Sequence, residues 1–150
     1  MKTILVPVDF SDVTQKVVAT ARKFVEAFGS RIVLLHVVEP EPDFVGFEPG
    51  PVSVRAVVAE DFRHEHQRLE ELKKSLAGLD VLALQVQGST AEKILRAAEE
   101  HHAELIIMGS HGHGALYHLL VGGVANGVLK SAACPVLIVP SERKSEDAAA

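Results

Sequence analysis

Residues 105–125 read LIIMGSHGHGALYHLLVGGVA. An apolar run ends at Gly109, a glycine- and histidine-rich stretch follows, and Gly122-Gly123 leads into a second apolar segment. Residues 108–125 hold five of the 11 glycines and three of the 8 histidines of this 150-residue chain. Two chemistries fit that stretch taken alone. His111, His113 and His118 can hold a metal ion, or the bare glycine backbone can wrap an anion. The surrounding chain decides between them.

Working outward, strands and helices alternate. Residues 3–8 (TILVPV) form a compact apolar run that reads as a buried strand. Ser11 is placed to cap a helix, and Val13, Val17, Ala21, Phe24 and Phe28 recur at helical spacing before Gly29 closes it. Residues 31–38 (RIVLLHVV) make a second continuous apolar strand, the pattern of a sheet covered on both faces. Residues 39–51 carry four prolines and two glycines and read as a long loose loop, with Phe44 and Phe47 available to pack over a ligand. An amphipathic helix is expected over residues 53–77, with Val54, Val58, Phe62, Leu69, Leu72 and Leu76 on one face and Gly78 at its end. Residues 81–87 (VLALQVQ) alternate in part, as a strand near an edge does. Ser89-Thr90-Ala91-Glu92 is a capping-box pattern, and Ile94, Leu95 and Ala98 give the helix after it a buried face. Residues 105–109 are a strand, 124–133 a helix stopped by Cys134-Pro135, and 136–139 (VLIV) a last strand. Residues 141–150 form a polar tail expected to be disordered.

The order β-α-β-α-β-α-β-α-β implies a parallel sheet between two layers of helix. In such sheets, ligands bind beyond the carboxyl ends of the strands, where the winding reverses. Two strand ends suit that role: Pro7-Val8-Asp9, where a carboxylate follows a buried strand, and Met108-Gly109.

Composition narrows the function. One domain of ordinary soluble composition is expected, with 47% hydrophobic and 23% charged residues. A net charge of -5 and the lack of a Lys/Arg cluster argue against a nucleic-acid partner. Cys134 is the single cysteine, so no internal disulfide forms and a reducing compartment is expected. The first residues, MKTILVPVDFSD, lack a signal-peptide pattern, and no apolar run approaches the roughly 20 residues of a membrane span. The expected location is cytoplasmic, with no membrane partner.

The glycines fit neither the P-loop nor the strict dinucleotide fingerprint. Their spacing is more specific. Gly109, Gly112 and Gly122 stand as G-x2-G-x9-G, the pattern of the universal stress protein family. KTILVPVDFS, LLHVVE, GSTAEKIL, MGSHGHG and GVLKSAACPVLIVP resemble that family as well, in family order, over residues 2–140. The resemblance implies one domain over residues 1–140. Its fold would be a three-layer α/β sandwich, Rossmann-like and of the adenine nucleotide alpha hydrolase type, with a five-stranded parallel sheet in the order 3-2-1-4-5. It also implies ATP or another adenine nucleotide in the cleft. Carried over by position, Pro7, Val8, Asp9 and Val37 would hold adenine and ribose, and Met108 and Gly109 would line the floor. Gly112, Gly122, Gly123, Val124 and Ala125 would approach ribose and phosphates. A homodimer is implied through Val136, Leu137, Ile138, Val139 and Pro140, whose exposed apolar edge invites pairing. The sequence departs from the family at Gly123, where Ser or Thr usually supplies a hydroxyl to phosphate.

Competing readings stay beside this one. His111 and His113 have no carboxylate or thiol near them in sequence, so they read as loop residues beside a phosphate or ribose rather than as ligands. His64, His66, His101 and His102 fall on expected helices as solvated residues, and His36 is expected to be a satisfied core histidine. Asp9 either contacts ligand, directly or through a Mg2+ ion bridging phosphates, or caps the turn into the first helix. Cys134 reads as a buried, inert thiol. No Ser-His-Asp order, HExxH or lysine-bearing P-loop appears, and Asp9, Ser110 and His111 are the only obvious reactive groups. No catalytic residue is assigned, and any ATP hydrolysis would be slow. A nucleotide-binding stress or signalling module is thus weighed against a ligand-free dimeric interaction protein and against a metal- or nucleotide-dependent enzyme.

Overall fold

The computed structural model describes residues 1–40, 52–110 and 122–141. Five strands, β1 (Thr3–Pro7), β2 (Arg31–Val38), β3 (Val81–Gln87), β4 (Leu105–Gly109) and β5 (Val136–Val139), alternate with four helices. These are α1 (Thr14–Phe28), α2 (Val52–Ser75), α3 (Thr90–Glu100) and α4 (Gly123–Ser131). The strands form one sheet in the order β3-β2-β1-β4-β5, and every neighbouring pair is parallel. This is the expected topology, with β3 and β5 at the edges.

Side-chain alternation sends each strand's apolar residues to both faces, which is why the strands are continuous apolar runs. Ile4, Val6, Ile32, Leu34, Leu105 and Ile107 pack on one face against Val17, Ala21 and Val25 of α1 and Leu69 and Leu72 of α2. Leu5, Val33, Leu35, Ile106 and Met108 pack on the other face against Ile94 and Ala97 of α3 and Ala125 and Val128 of α4. The three layers follow directly from this division.

Local expectations needed correction at several points. α1 begins at Thr14 with Val13 in the N-cap position, and Ser11 does not cap it. The chain from Asp9 to Ser11 is spent on a turn: the Ser11 N–H donates to Asp9 Oδ1 at 3.0 Å, and the Thr14 N–H donates to the Ser11 carbonyl at 3.1 Å. Phe28 is 55% exposed, because Ala21 and Val25 carry the buried stripe and Phe28 falls past its end beside the Phe24 ring, 6.1 Å away. Phe62 is likewise 39% exposed, and Leu69, Leu72 and Leu76 bear the burial of α2 and the turn after it. Ser89 is the N-cap of α3, but no side-chain capping bond forms there. α3 buries Ile94 and Ala97, with Leu95 and Ala98 half-buried. It ends at Glu100, so His101 and His102 sit in the following turn rather than on the helix. Phe44 and Phe47, the side chains of Val54 and Val58, and the tail from residue 142 lie outside the described residues.

Gly29 ends α1 in the left-handed conformation, φ 65° and ψ 31°, with its N–H donating to the Val25 carbonyl at 2.7 Å. A Cβ there meets no atom within 4 Å. Gly29→Ala therefore isolates the backbone cost of that conformation and is expected to lower unfolding stability by about 1 kcal/mol in urea titration.

Candidate functional site

β1 is hydrogen-bonded to β2 on one side and β4 on the other. Connections leaving the carboxyl ends of β1 and β4 diverge to opposite faces, because α1 lies on one face and α4 on the other. A cleft of about 660 Å3 opens between them. Pro7, Val8 and Asp9 enter it from β1, Val37 from β2, Met108 and Gly109 from β4, and Gly122, Gly123, Val124 and Ala125 from the start of α4. Every residue expected at the site is thus brought together except Gly112, which lies outside the described residues, as do His111, His113 and His118.

The wall formed by α4 is backbone. Gly122 occupies the N-cap with φ -68° and ψ 166° and provides no side-chain cap. The first N–H groups of a helix have no partner within it and carry partial positive charge. The start of α4 is held against β4, since the Gly122 N–H donates to the Ser110 carbonyl at 2.7 Å and the Ser110 N–H to the Val139 carbonyl at 3.0 Å. Ser110 itself is buried. Gly123 is exposed, and a Cβ on it meets nothing within 4 Å.

The opposite wall is the β1–α1 turn. Asp9 has both of the roles weighed for it within reach. Oδ1 accepts the Ser11 N–H and stands 3.5 Å from the Thr14 hydroxyl, while the residue also borders the cleft. Phe10 takes φ 59°, a conformation that costs an aromatic L-residue free energy and must be held by its surroundings. The holding groups are visible. The His36 ring lies 4.5 Å from the Phe10 ring, the Arg68 guanidinium lies 4.5 Å from the same ring centroid, and Arg68 Nη2 donates to the Phe10 carbonyl at 3.4 Å.

His36 is the satisfied core histidine expected, 5% exposed. Nδ1 lies 2.8 Å from the Val8 carbonyl and Nε2 lies 3.1 Å from Glu65 Oε2. Both ring nitrogens thus face oxygen atoms, the Val8 carbonyl on one side and the Glu65 carboxylate on the other. The ring thereby ties the end of β1 to α2 beside the cleft. Glu65 and the pair of Thr90 and Glu39, whose Thr90 hydroxyl donates to Glu39 Oε1 at 3.3 Å, line the cleft but escaped the sequence reading. Thr90 had a signal in its position at a helix start. Glu65 had none, because only tertiary packing brings it to His36.

The remaining candidates lie elsewhere. His64 and His66 are exposed, and His66 Nδ1 pairs with Gln85 Oε1 at 3.0 Å. Cys134 is half-buried, and burial pushes its thiol above the ordinary value, away from the nucleophilic thiolate. Among the described residues, no three His, Cys, Asp or Glu side chains are grouped to hold a metal ion, and no helix is long and apolar enough to cross a membrane.

Residues 1–140 match the family model of the universal stress protein family. A universal stress protein of Thermus aquaticus is 36% identical over 142 residues, which cover 92% of this chain and 98% of that one. The solved structure of a Methanocaldococcus jannaschii protein superposes with a TM-score of 0.79 at 28% identity, covering 95% of this chain and 98% of that one. Two more distant solved structures share the fold. One is a universal stress protein in complex with cAMP, with a TM-score of 0.68 at 22% identity, covering 92% of this chain and 96% of that one. The other, from Archaeoglobus fulgidus in complex with dAMP, has a TM-score of 0.60 at 19% identity and covers 92% and 97%.

The His36 tie has a measurable weight. His36→Leu leaves the Val8 carbonyl and the Glu65 carboxylate without their partner and is expected to cost about 1–3 kcal/mol in urea unfolding. The His36→Leu/Glu65→Leu double variant should lose less than the sum of the two single variants, because the residues share one bond. Strict additivity would show that the contact contributes nothing.

Proposed function

The chain belongs to the universal stress protein family, and from that premise we propose that it is an adenine-nucleotide-binding module of the cytoplasm acting in stress response or signalling. The observation that carries this reading is convergence. The ends of β1 and β4 and the uncapped start of α4 meet in one cleft, lined by every described residue of the expected set. Pro7, Val8, Asp9 and Val37 take the adenine and ribose, and Met108 and Gly109 form the floor. Gly122, Gly123, Val124 and Ala125, with Gly112 from the glycine-rich stretch, approach ribose and phosphate. That two proteins of this fold carry cAMP and dAMP fits an adenine site in the fold.

For ATP, an accompanying Mg2+ ion would find in Asp9, just beyond β1, a carboxylate bordering the cleft. No catalytic residue is assigned. Ser110 is buried, and binding rather than turnover is the activity proposed.

Calorimetric titration of nucleotide-stripped protein with AMP, and with ATP plus Mg2+, tests this reading. Saturable binding is expected. Gly123→Ser restores the hydroxyl at a position where a side chain meets no obstacle, and should tighten binding about 10- to 100-fold, the worth of a hydrogen bond to a charged group. If neither the protein nor the serine variant binds, the reading falls.

The module is proposed to act as a homodimer through Val136, Leu137, Ile138, Val139 and Pro140. β5 is an edge strand, and its partner β4 takes the carbonyls of Pro135 and Val139. Alternation in a parallel ladder then turns the N–H groups of Val136 and Ile138 outward, available to a second chain. Ile138→Pro removes one of them. Sedimentation should show a dimer at micromolar concentration that this substitution weakens, and a monomeric parent protein would overturn the assignment.

A further inference from the structure

An adenine site still leaves open which nucleotide it takes, and the charge around the cleft bears on that choice. Three carboxylates, Asp9, Glu39 and Glu65, border the cleft, and among its described lining residues there is neither Lys nor Arg. The glycine-rich stretch adds none, since the sequence from Ala97 to Leu129 contains no Lys or Arg. His36, the one imidazole among the described lining residues, is engaged by the Val8 carbonyl and Glu65.

Three helix starts border the cleft, and they differ. At α1, the Asp9 carboxylate already stands there, its Oδ1 accepting the Ser11 N–H and lying 3.5 Å from the Thr14 hydroxyl. At α3, the Thr90 hydroxyl is already bonded to the Glu39 carboxylate, and Glu92 stands in the first turn. At α4, no acidic residue lies in the first turn and no side chain caps the helix. Gly123 adds neither bulk nor hydroxyl there. Among the described residues, the start of α4 is thus the one helix start at the cleft with no carboxylate standing at it, and no Lys or Arg lines the cleft beside it.

Resting on the nucleotide reading above, we propose that this site selects an adenine nucleotide with a single phosphate, open or cyclic, over metal-free di- and triphosphates. A helix start presents roughly half a positive charge and suits one phosphate. Each further phosphate adds negative charge with no Lys or Arg among the described lining residues to meet it, inside a cleft whose carboxylates act over a Debye length of about 8 Å. At water-like screening each added charge weakens binding about two- to three-fold, and more where the walls exclude water. A divalent cation carried in by ATP lifts most of that penalty.

The test is calorimetry on the full, nucleotide-stripped chain in EDTA, with pH and ionic strength held the same for every probe. The probes are adenosine, cyclic AMP, AMP, ADP and ATP. The two monophosphates should bind tightest, and their ratio identifies the open or the cyclic form as the better ligand. ADP and then ATP should follow, with ATP about five-fold or more below AMP. Mg2+ should narrow that gap, and so should Glu39→Gln, which removes one of the three charges and keeps a partner for Thr90. ATP binding as tightly as AMP without metal overturns the inference and leaves the nucleotide reading intact. Adenosine binding as tightly as the monophosphates, or a gap unchanged in Glu39→Gln, also overturns it. If none of the five probes binds, the nucleotide reading itself fails.

Discussion

β1 is hydrogen-bonded along both edges, to β2 and to β4, and the rest of the molecule is arranged around that constraint. A strand in this position has both faces covered and both edges paired, so Ile4, Leu5 and Val6 are fully buried. The chain must leave β1 toward one face and return on the other side through β4, whose continuation becomes α4 on the opposite face. The cleft is thus a product of topology, and side chains only furnish it.

The furnishing is asymmetric. The β1 side is a set of interlocked side chains. His36 takes the Val8 carbonyl and Glu65, Arg68 takes the Phe10 carbonyl, and Phe10 is held at positive φ beside both His36 and Arg68. Such a wall keeps Val8 and Asp9 in place without help from a ligand, and it does so by recruiting α2. The α4 side relies on main-chain groups, with the Gly122 N–H bound to the Ser110 carbonyl. A rigid wall faces one that offers bare backbone.

How legible this was in the sequence follows the range of the interactions. The strands were legible because burial on both faces leaves an unbroken apolar run, as in RIVLLHVV, and the alternation of elements then implied the parallel sheet. The strand order came from the family resemblance, since periodicity alone does not rank strands. Helix starts were less legible. Ser11 has the right chemistry for a cap, but Asp9 captures its N–H and moves the helix start to Thr14. The Ser89 box has the right spacing, yet the Thr90 hydroxyl bonds Glu39 and no side-chain cap forms. Phe28 and Phe62 kept helical spacing beyond the reach of the core they were expected to join. Glu65 was invisible, because 29 residues of chain separate it from His36.

The starts of α3 and α4, two of the three helix starts at the cleft, show why a glycine motif is better evidence of where a ligand goes than of which ligand it is. Both starts offer unpaired N–H groups, so both resemble anion sites when viewed as backbone alone. Their difference lies in side chains from elsewhere in the fold. Glu39, at the end of β2, reaches Thr90 and adds its charge at α3, whereas α4 has no acidic residue in its first turn and no side-chain cap. Glycine spacing locates the backbone, but the charge that a ligand meets is set by residues that the fold brings to it. Among the described lining residues of this cleft, the charged ones are Asp9, Glu39 and Glu65, all carboxylates that the glycine spacing does not announce.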